Sequence, residues 1–217
     1  MHVVRPDNDS DHRLILPDIS CCQPLCLNVL LADKIDSGEL ELHRSLTESG
    51  LLYDRIADDL GQLRTDVKPV VMKYLYGPWF DKQPYVCPSV QHIPSIQRAA
   101  ELLAAVAQWY QETLPGVSTF LKLEKTDKRN FDYLNRDGMR RAGKPRLGYS
   151  IVAHRLQQLE ADLVVEQACR NLIDDVPELV FTPIHDGILT EEWGKELAEE
   201  ALRRSFASVG LHPHITA

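Results

Sequence analysis

The chain has no long apolar segment. Its 217 residues are 44% hydrophobic, but no apolar run approaches the roughly 20 residues that a helix needs to cross a bilayer. The N-terminal sequence MHVVRPDNDSDHR is too polar for a secretory signal. These two absences predict a cytoplasmic protein with no membrane partner. The length is sufficient for one substantial hydrophobic core with a lobe beside it.

Cysteines and phosphate-binding loops are also scarce. The five cysteines are an odd number, which argues against a disulfide framework. Cys21, Cys22 and Cys26 are clustered, but a zinc site usually takes its ligands from two separated pairs. We therefore interpret these three cysteines as small core residues. The chain also lacks a glycine-rich phosphate loop and a serine in a nucleophile motif.

The chain as a whole is acidic. It has 32 Asp and Glu residues against 24 Lys and Arg residues, which gives a formal net charge of −8. Because phosphate binding depends mainly on Lys and Arg, this overall charge is unfavourable for binding a nucleic acid. Basic residues are nevertheless concentrated in the ranges 64–73, 122–129 and 136–155. A locally basic groove on an acidic protein is therefore compatible with the sequence.

Apolar periodicity and breaker residues predict an α+β fold. Helices are predicted over residues 24–32, 51–60, 64–76, 95–113, 117–125, 150–173 and 191–208. Strands are predicted over residues 13–19 and 179–184, from a turn at 185–187 through Leu189, and near 212–216. Residues 36–38 are interpreted as a turn, 78–94 as a loop and 126–148 as a mobile basic loop. Residues 1–11 are polar and are predicted to be disordered.

The helix predicted over residues 64–76 carries the most informative pattern. It contains Arg64, Lys68 and Tyr76 and is followed by Gly77. At about 100° per residue, the side chains of the first three residues fall within an arc of roughly 120° and share one face. Two cations and an aromatic ring on one face can bind a triphosphate and cover a base. The ordinary alternative is a solvated face for the two cations and a core position for Tyr76.

Two other segments complete a recognisable order of motifs. Asp18-Ile19-Ser20 ends an apolar run and is followed by Gln23, and His185-Asp186-Gly187 lies between apolar residues in VFTPIHDGILT. With the helix of residues 64–76 between them, these motifs resemble the palm and fingers of the family A DNA polymerase and phage-type single-subunit RNA polymerase superfamily.

A fourth segment, AHRLQQLEADLVVEQA, resembles the palm helix that precedes the His-Asp hairpin in this superfamily. Gln157 and Glu160 occupy the positions that face the primer and template. The segment keeps the Gln and the Ala-Asp end of the pattern found in the DNA polymerases. The four motifs occur in the order that the superfamily has, from Asp18 towards the end of the chain.

The resemblance implies a small antiparallel palm sheet backed by helices, with a mainly helical fingers lobe and no thumb or exonuclease domain. The implied segments are a disordered N-terminus over 1–11, the first part of the palm over 12–50, the helical fingers lobe over 51–148 and the second part of the palm, with its hairpin, over 149–217.

The resemblance also implies an activity. The expected function is a template-directed nucleotidyltransferase that adds nucleoside triphosphates to a primer 3′ end by a two-metal mechanism. The carboxylates of Asp18 and Asp186 and the backbone carbonyl of Ile19 would hold two Mg²⁺ ions, because magnesium prefers hard oxygen ligands. Mn²⁺ can substitute for Mg²⁺ in such a site.

The remaining motif residues have implied roles in binding. Arg64 would hold the γ-phosphate through its planar, bidentate fork. Lys68 would act catalytically by stabilising the charge that develops on pyrophosphate. Tyr76 and Gln23 would contact the incoming nucleotide. The implied primer and template contacts are His185, Gln157 and Glu160.

Several alternatives stay open at this point. Gln23 occurs where the DNA polymerases have Glu, and Met72 occurs where they have an aromatic residue, so an RNA-synthesising protein is an alternative to the favoured DNA polymerase. A chain without a thumb fits a minimal enzyme, a split polymerase whose thumb is a separate subunit, or a non-catalytic palm-like domain that binds nucleic acid or a partner. Taken singly, Asp18 can be a helix cap and Asp186-Gly187 an ordinary hairpin turn.

Overall fold

The computed structural model describes residues 13–78, 96–130 and 150–217. The predicted disorder of residues 1–11, nearly all of the loop over 78–94 and most of the basic loop over 126–148 lie outside the described residues. Within the described parts, the chain is mostly helical with one small antiparallel sheet, so the α+β class is confirmed. No helix among these residues is long and apolar enough to cross a membrane.

The sheet is built from short strands. They are β1 (Leu14–Ile15), β2 (Asp18–Ile19), β3 (Phe181–Ile184), β4 (Gly187–Glu191) and β5 (Ile215–Thr216). β4 pairs with β3 on one side and with both β1 and β2 on the other, and β2 also pairs with β5. Every pairing is antiparallel, as hairpin connections allow.

β1 and β2 form one line along β4. Leu14 pairs with Glu191 and Asp18 pairs with Gly187, so β1 and β2 pair with β4 in one continuous register. Between them, the carbonyl of Pro17 accepts a hydrogen bond from the Ile188 amide at 3.0 Å. The segment predicted as a single strand over 13–19 therefore follows one path on β4, although regular strand geometry is interrupted at the proline, which has no amide hydrogen to donate.

The helices make up the rest of the described chain. They are α1 (Cys22–Leu31), α2 (Ser37–Glu48), α3 (Leu52–Leu60), α4 (Arg64–Tyr76), α5 (Ile96–Thr113), α6 (Pro115–Thr126), α7 (Ile151–Ala161), α8 (Arg170–Asp175) and α9 (Lys195–Ala207). A π-helix over Asp162–Cys169 joins α7 to α8, and a 3₁₀ turn over Glu192–Gly194 precedes α9. The bounds of α4 coincide with the predicted 64–76, where Gly77 ends the helix.

The prediction of a turn at residues 36–38 was wrong, because α2 begins there. The Asp36 side chain accepts hydrogen bonds from the amides of Gly38 at 2.9 Å and Glu39 at 3.2 Å. These are amides at the start of a helix, which have no partner within the helix itself. The Asp-Ser-Gly sequence that suggested a turn is therefore an N-cap.

The chain divides into two compact units. Unit 1 comprises Met1–Val29, Thr47–Gly50 and Gln157–Ala217, and unit 2 comprises Leu30–Leu46 and Leu51–Leu156. Unit 1 contains the sheet, and its core includes Ile19 and Ile188 from one face of the sheet together with Leu163, Leu202 and Phe206 from helices. The domain bounds of 12–50, 51–148 and 149–217 stay a prediction.

Unit 2 is helical. α4 buries Val67, Val71 and Leu75 on one face, and Tyr74 stacks on Tyr110 of α5 with ring centroids 4.7 Å apart. The N-terminus of α6 is capped from α2, because the Glu39 carboxylate accepts hydrogen bonds from the amides that begin α6. α4 is thus packed within a bundle, and its exposed residues, Arg64, Thr65 and Lys68, all lie in its N-terminal half.

Candidate functional site

The register of the sheet brings the two predicted metal ligands to neighbouring strands. Asp18 of β2 lies opposite Gly187 of β4, and the Ile19 amide donates a hydrogen bond to the carbonyl of Asp186 at 3.3 Å. Asp18 thus lies beside the residue that follows Asp186. In an antiparallel strand the N–H and C=O of one residue point to the same side, so we expect the Ile19 carbonyl to face the turn that carries Asp186.

Gly187 makes room for the Asp18 carboxylate. A Cβ atom at position 187 would lie 2.6 Å from the Pro17 carbonyl oxygen and 3.1 Å from Asp18 Oδ1. The first distance is shorter than any real Cβ contact, and the obstacle is backbone that cannot simply turn aside. A glycine after the His-Asp pair is therefore a packing requirement of this sheet, since it lets β2 approach with its carboxylate lying over β4.

The turn that carries Asp186 is strained at His185. His185 and Asp186 connect β3 to β4 as a two-residue loop closed by the pair Ile184 and Gly187. His185 has a φ of 53°, in the left-handed region that a non-glycine residue enters at a cost of roughly 1 kcal/mol. The exposed imidazole at the tip of the hairpin thus occupies a position where the backbone alone would favour glycine.

Glu160 belongs to the same group of carboxylates. Its pKa is raised to about 7, chiefly by burial and also by the negative charges of Asp186 and Asp18, while His185 acts in the opposite direction. The shift places the Glu160 side chain within the electrostatic field of both aspartates. The sequence predicts a role for Glu160 in primer and template binding but not this grouping, because nothing in the helical pattern of α7 relates Glu160 to the hairpin.

A cysteine also lies close to this group. The pKa of the Cys22 thiol is raised by its hydrogen bond with Cys26, by burial, and by the charges of Asp186 and Glu160. Cys21, Cys22 and Cys26 are buried and form no disulfide among the described residues, and their burial agrees with the predicted core role. Among them, Cys22 lies within the electrostatic reach of Asp186 and Glu160.

The two predicted glutamines have different environments. Gln157 is exposed and precedes Glu160 by one helical turn on α7. Gln23, in the first turn of α1, is half-buried, and its side-chain oxygen is buried without a hydrogen-bond partner among the described residues. Such an acceptor is costly when it has no donor.

The cluster of Asp18, Asp186 and Glu160 is better suited to an open magnesium site than to a metal site whose ligands all come from the protein. Within residues 13–78, 96–130 and 150–217, no group of three or more His, Cys, Asp or Glu side chains is arranged to hold a metal ion. Magnesium, however, is usually held by one or two carboxylates with water and substrate phosphates completing its shell. Asp18, Asp186 and the carbonyl of Ile19 supply the hard oxygen atoms for such a site.

Unit 2 contains the predicted triphosphate-binding residues. Arg64 and Lys68 of α4 are both exposed and both lie against Tyr53 of α3. The Arg64 guanidinium carbon is 5.7 Å from the centroid of the Tyr53 ring and the Lys68 Nζ atom is 5.9 Å from it. Arg64 and Lys68 therefore share one face of α4. Arg64 Nε also contacts Asp54 Oδ2 at 3.2 Å.

The C-terminal end of α4 positions Tyr76. Tyr76 is the last residue of the helix and is half-buried. The Gly77 amide donates a hydrogen bond to the Lys73 carbonyl at 2.7 Å, and a Cβ atom at position 77 would lie 2.6 Å from that oxygen. The Tyr-Gly pair is thus explained locally, because the helix can close in this way only when a glycine follows the tyrosine.

Comparison with protein-family models, curated proteins and solved structures gave no match in any of the three.

Proposed function

We propose that the protein is a template-directed nucleotidyltransferase, similar to a family A DNA polymerase, that extends a primer 3′ end. The observation that carries this proposal is the register of β2 on β4, which sets Asp18 beside the turn of Asp186. Both aspartates contribute to the raised pKa of Glu160, so three acidic side chains are concentrated there. Nothing in the packing of a sheet requires such a concentration.

The electrostatics favour a cation at these carboxylates. Asp18, Asp186 and Glu160 repel one another, and a divalent cation bound beside them would relieve that repulsion. Two Mg²⁺ ions bound here would stabilise the attacking and leaving oxygens of phosphoryl transfer. The roles of the protein are to hold the two aspartates and the Ile19 carbonyl on a rigid sheet and to keep the site acidic.

The other residues are proposed to bind and orient the substrates. Arg64 and Lys68 bind the triphosphate, and Lys68 neutralises charge on the departing pyrophosphate. Tyr76 and Gln23 contact the base and sugar of the incoming nucleotide. The proposed primer and template contacts are His185, Gln157 and Glu160.

The decisive experiment is extension of a labelled primer on a DNA template with Mg²⁺ or Mn²⁺, with deoxynucleotides and ribonucleotides supplied separately. We expect template-dependent extension that falls by roughly a thousandfold or more in Asp18→Asn and Asp186→Asn, because removal of a group that stabilises transition-state charge commonly costs 10²–10³ or more. The preferred sugar distinguishes a DNA polymerase from an RNA-synthesising protein.

The matched control is Asp174→Asn, which removes one exposed carboxylate from unit 1. It should leave extension within about twofold of wild type. Extension that survives Asp186→Asn would contradict the proposed mechanism. Absence of extension, together with Mg²⁺ binding that depends on Asp186 in calorimetry, would instead favour a split polymerase that lacks its thumb subunit or a non-catalytic palm-like domain.

A further inference from the structure

The first turn of α3 contacts the cationic face of α4 through two adjacent residues. The Tyr53 ring lies within 5.7 Å of the Arg64 guanidinium carbon and 5.9 Å of Lys68 Nζ, and Asp54 Oδ2 lies 3.2 Å from Arg64 Nε. We propose that Tyr53 positions Arg64 and Lys68 for a triphosphate and that Asp54 is an internal counter-ion which the triphosphate displaces. This inference rests on the proposed function, which assigns the two cations to triphosphate binding.

Tyr53 can serve as a platform because it is itself immobilised. Its side chain is only 1% exposed, and its hydroxyl group lies 3.6 Å from the sulfur of Met72, one turn beyond Lys68 on α4. The face of an aromatic ring attracts cations within about 6 Å of its centroid. A buried ring that attracts both cations restricts the rotamers of two long side chains before any ligand arrives.

This restriction matters for binding because Arg and Lys side chains are otherwise highly mobile. An anion that binds to freely moving side chains must first order them, and this entropic cost reduces the affinity. Arg64 and Lys68 are one helical turn apart on α4, and both side chains lie against the Tyr53 ring before a ligand binds. The spacing suits the successive phosphate groups of a triphosphate, which carry negative charge along a short chain.

Asp54 opposes anion binding while the site is empty. Its ion pair with Arg64 is open to solvent, with 44% of each side chain exposed, so it is weak and easily exchanged. A phosphate offers the Arg64 fork the same two-oxygen geometry as a carboxylate and carries more charge. Lys68 makes no ion pair within the described parts of the chain. A triphosphate would therefore replace Asp54 at Arg64 and add a partner for Lys68.

The test measures binding of inorganic tripolyphosphate without metal by calorimetry at low salt, using the full chain. We expect Asp54→Asn to bind tripolyphosphate about three- to fivefold more tightly, since an exposed ion pair is lost and a like charge is removed. We expect Tyr53→Leu to bind about three- to tenfold more weakly and Tyr53→Phe, which keeps the ring, to stay within about twofold. The control Asp58→Asn changes an exposed carboxylate on the same helix and should have no effect.

A double-mutant cycle separates positioning from a general loss of structure. If Asp54 acts through Arg64, the substitution Asp54→Asn should change the affinity little in an Arg64→Ala background, and Tyr53→Leu should change it little when both cations are replaced by alanine. In primer extension, Asp54→Asn should lower KM for the nucleoside triphosphate and leave kcat within about twofold. A structural defect would lower kcat and the melting temperature together.

The outcomes distinguish this inference from the proposed function. Tripolyphosphate binding that depends on Arg64 and Lys68 but is unchanged by Asp54→Asn and Tyr53→Leu would overturn the inference and leave the proposed function standing. Equal effects of these substitutions with and without the cations would also overturn it. A wild-type protein that does not bind tripolyphosphate would contradict both the assignment of the two cations and the inference built on it.

Discussion

At the scale of single residues, several side chains are held in environments that ordinary packing does not favour. Burial and two neighbouring carboxylates raise the pKa of Glu160 to about 7. His185 has left-handed backbone geometry at the tip of a hairpin. In unit 2, Lys125 is buried with its ammonium group donating to the carbonyl of Tyr74. Perturbed groups of this kind are common at functional sites, although Lys125 is explained by the packing of α6 on α4.

Gly187 provides a prediction about the carboxylate site. In Gly187→Ala, the added Cβ atom would collide with the Pro17 carbonyl and press on Asp18 Oδ1, so β2 must move away from β4. We expect about 1–3 kcal/mol of destabilisation, as for other overpacked sites. Calorimetric Mg²⁺ affinity should fall roughly tenfold. Thr182→Ala, at an exposed position of β3, is the control, and an unchanged Mg²⁺ affinity in Gly187→Ala would contradict the proposed ligand geometry.

Lys125 provides a prediction about pH. Burial lowers its pKa to about 7 in the folded state, whereas an unfolded lysine has a pKa near 10.4. Between these two values the unfolded chain binds more protons, so the contribution of Lys125 to stability rises as the pH rises from about 7 to 10. We expect wild type to gain roughly 2–4 kcal/mol relative to Lys125→Met over that window.

Urea unfolding at pH 7, 8.5 and 10 measures this difference. Lys128→Met, which replaces an exposed lysine two residues after the end of α6, should unfold in parallel with wild type at every pH. A constant difference between wild type and Lys125→Met would show that Lys125 remains charged in the folded protein.

At the scale of elements, contacts between helices determine where each helix begins and which face it presents. The Glu39 carboxylate of α2 accepts hydrogen bonds from the amides of Gly116 at 2.9 Å and Val117 at 2.8 Å. A Cβ atom at position 116 would lie 2.7 Å from Glu39 Oε2. The Pro-Gly start of α6 is therefore shaped to receive a carboxylate from a helix that is 77 residues away in sequence.

The capping contact predicts a cost in stability when its charge is removed. In Glu39→Gln, one oxygen and the favourable interaction with the positive end of α6 are lost. We expect the free energy of unfolding to fall by about 1–2 kcal/mol, measured by urea unfolding at pH 7. The control Glu41→Gln, at an exposed position of the same helix, should change it by less than about 0.5 kcal/mol. Equal effects of the two would show that the cap contributes nothing.

At the scale of the whole molecule, the net charge of −8 opposes association with a nucleic acid. Binding must then depend on a local concentration of positive charge. Among the described residues, α4 and the C-terminal part of α6 carry exposed lysine and arginine side chains, including Lys68 and Lys122. The proposed function therefore requires phosphate contacts at a few sites, with the rest of the surface repelling the duplex.

This charge distribution predicts a strong dependence of duplex binding on salt. Each neutralised phosphate releases counter-ions, so the affinity for a primer-template duplex should fall roughly tenfold to hundredfold between 50 and 200 mM salt. Fluorescence anisotropy across this range measures the slope. Lys68→Gln should change the affinity for a nucleoside triphosphate but leave this slope unchanged if Lys68 contacts only the triphosphate. A duplex affinity that does not vary with salt would exclude a phosphate-based interface.

Local sequence was sufficient for features that depend on a few neighbouring residues. The Gly77-Pro78 pair predicted the end of α4, the Asp186-Gly187 pair predicted the hairpin, and apolar periodicity predicted the α+β class. Local sequence gave a wrong prediction at Asp36, because the same residue types occur in turns and in helix N-caps. The start of α2 is decided by whether the following segment buries a face, and a short sequence window carries no information about that.

The sequence by itself determined most of the helices and strands, with α2 the main exception, and the chemical groups that they carry, because backbone preference and side-chain periodicity act within about one turn. Only the tertiary structure decided which of those groups meet. The register that sets Asp18 against Gly187, the inclusion of Glu160 with the two aspartates, and the placement of Tyr53 and Asp54 beside Arg64 all depend on packing between segments that are distant in sequence. Burial and backbone pairing across the whole fold determine which of these residues are neighbours, and local sequence patterns do not contain that information.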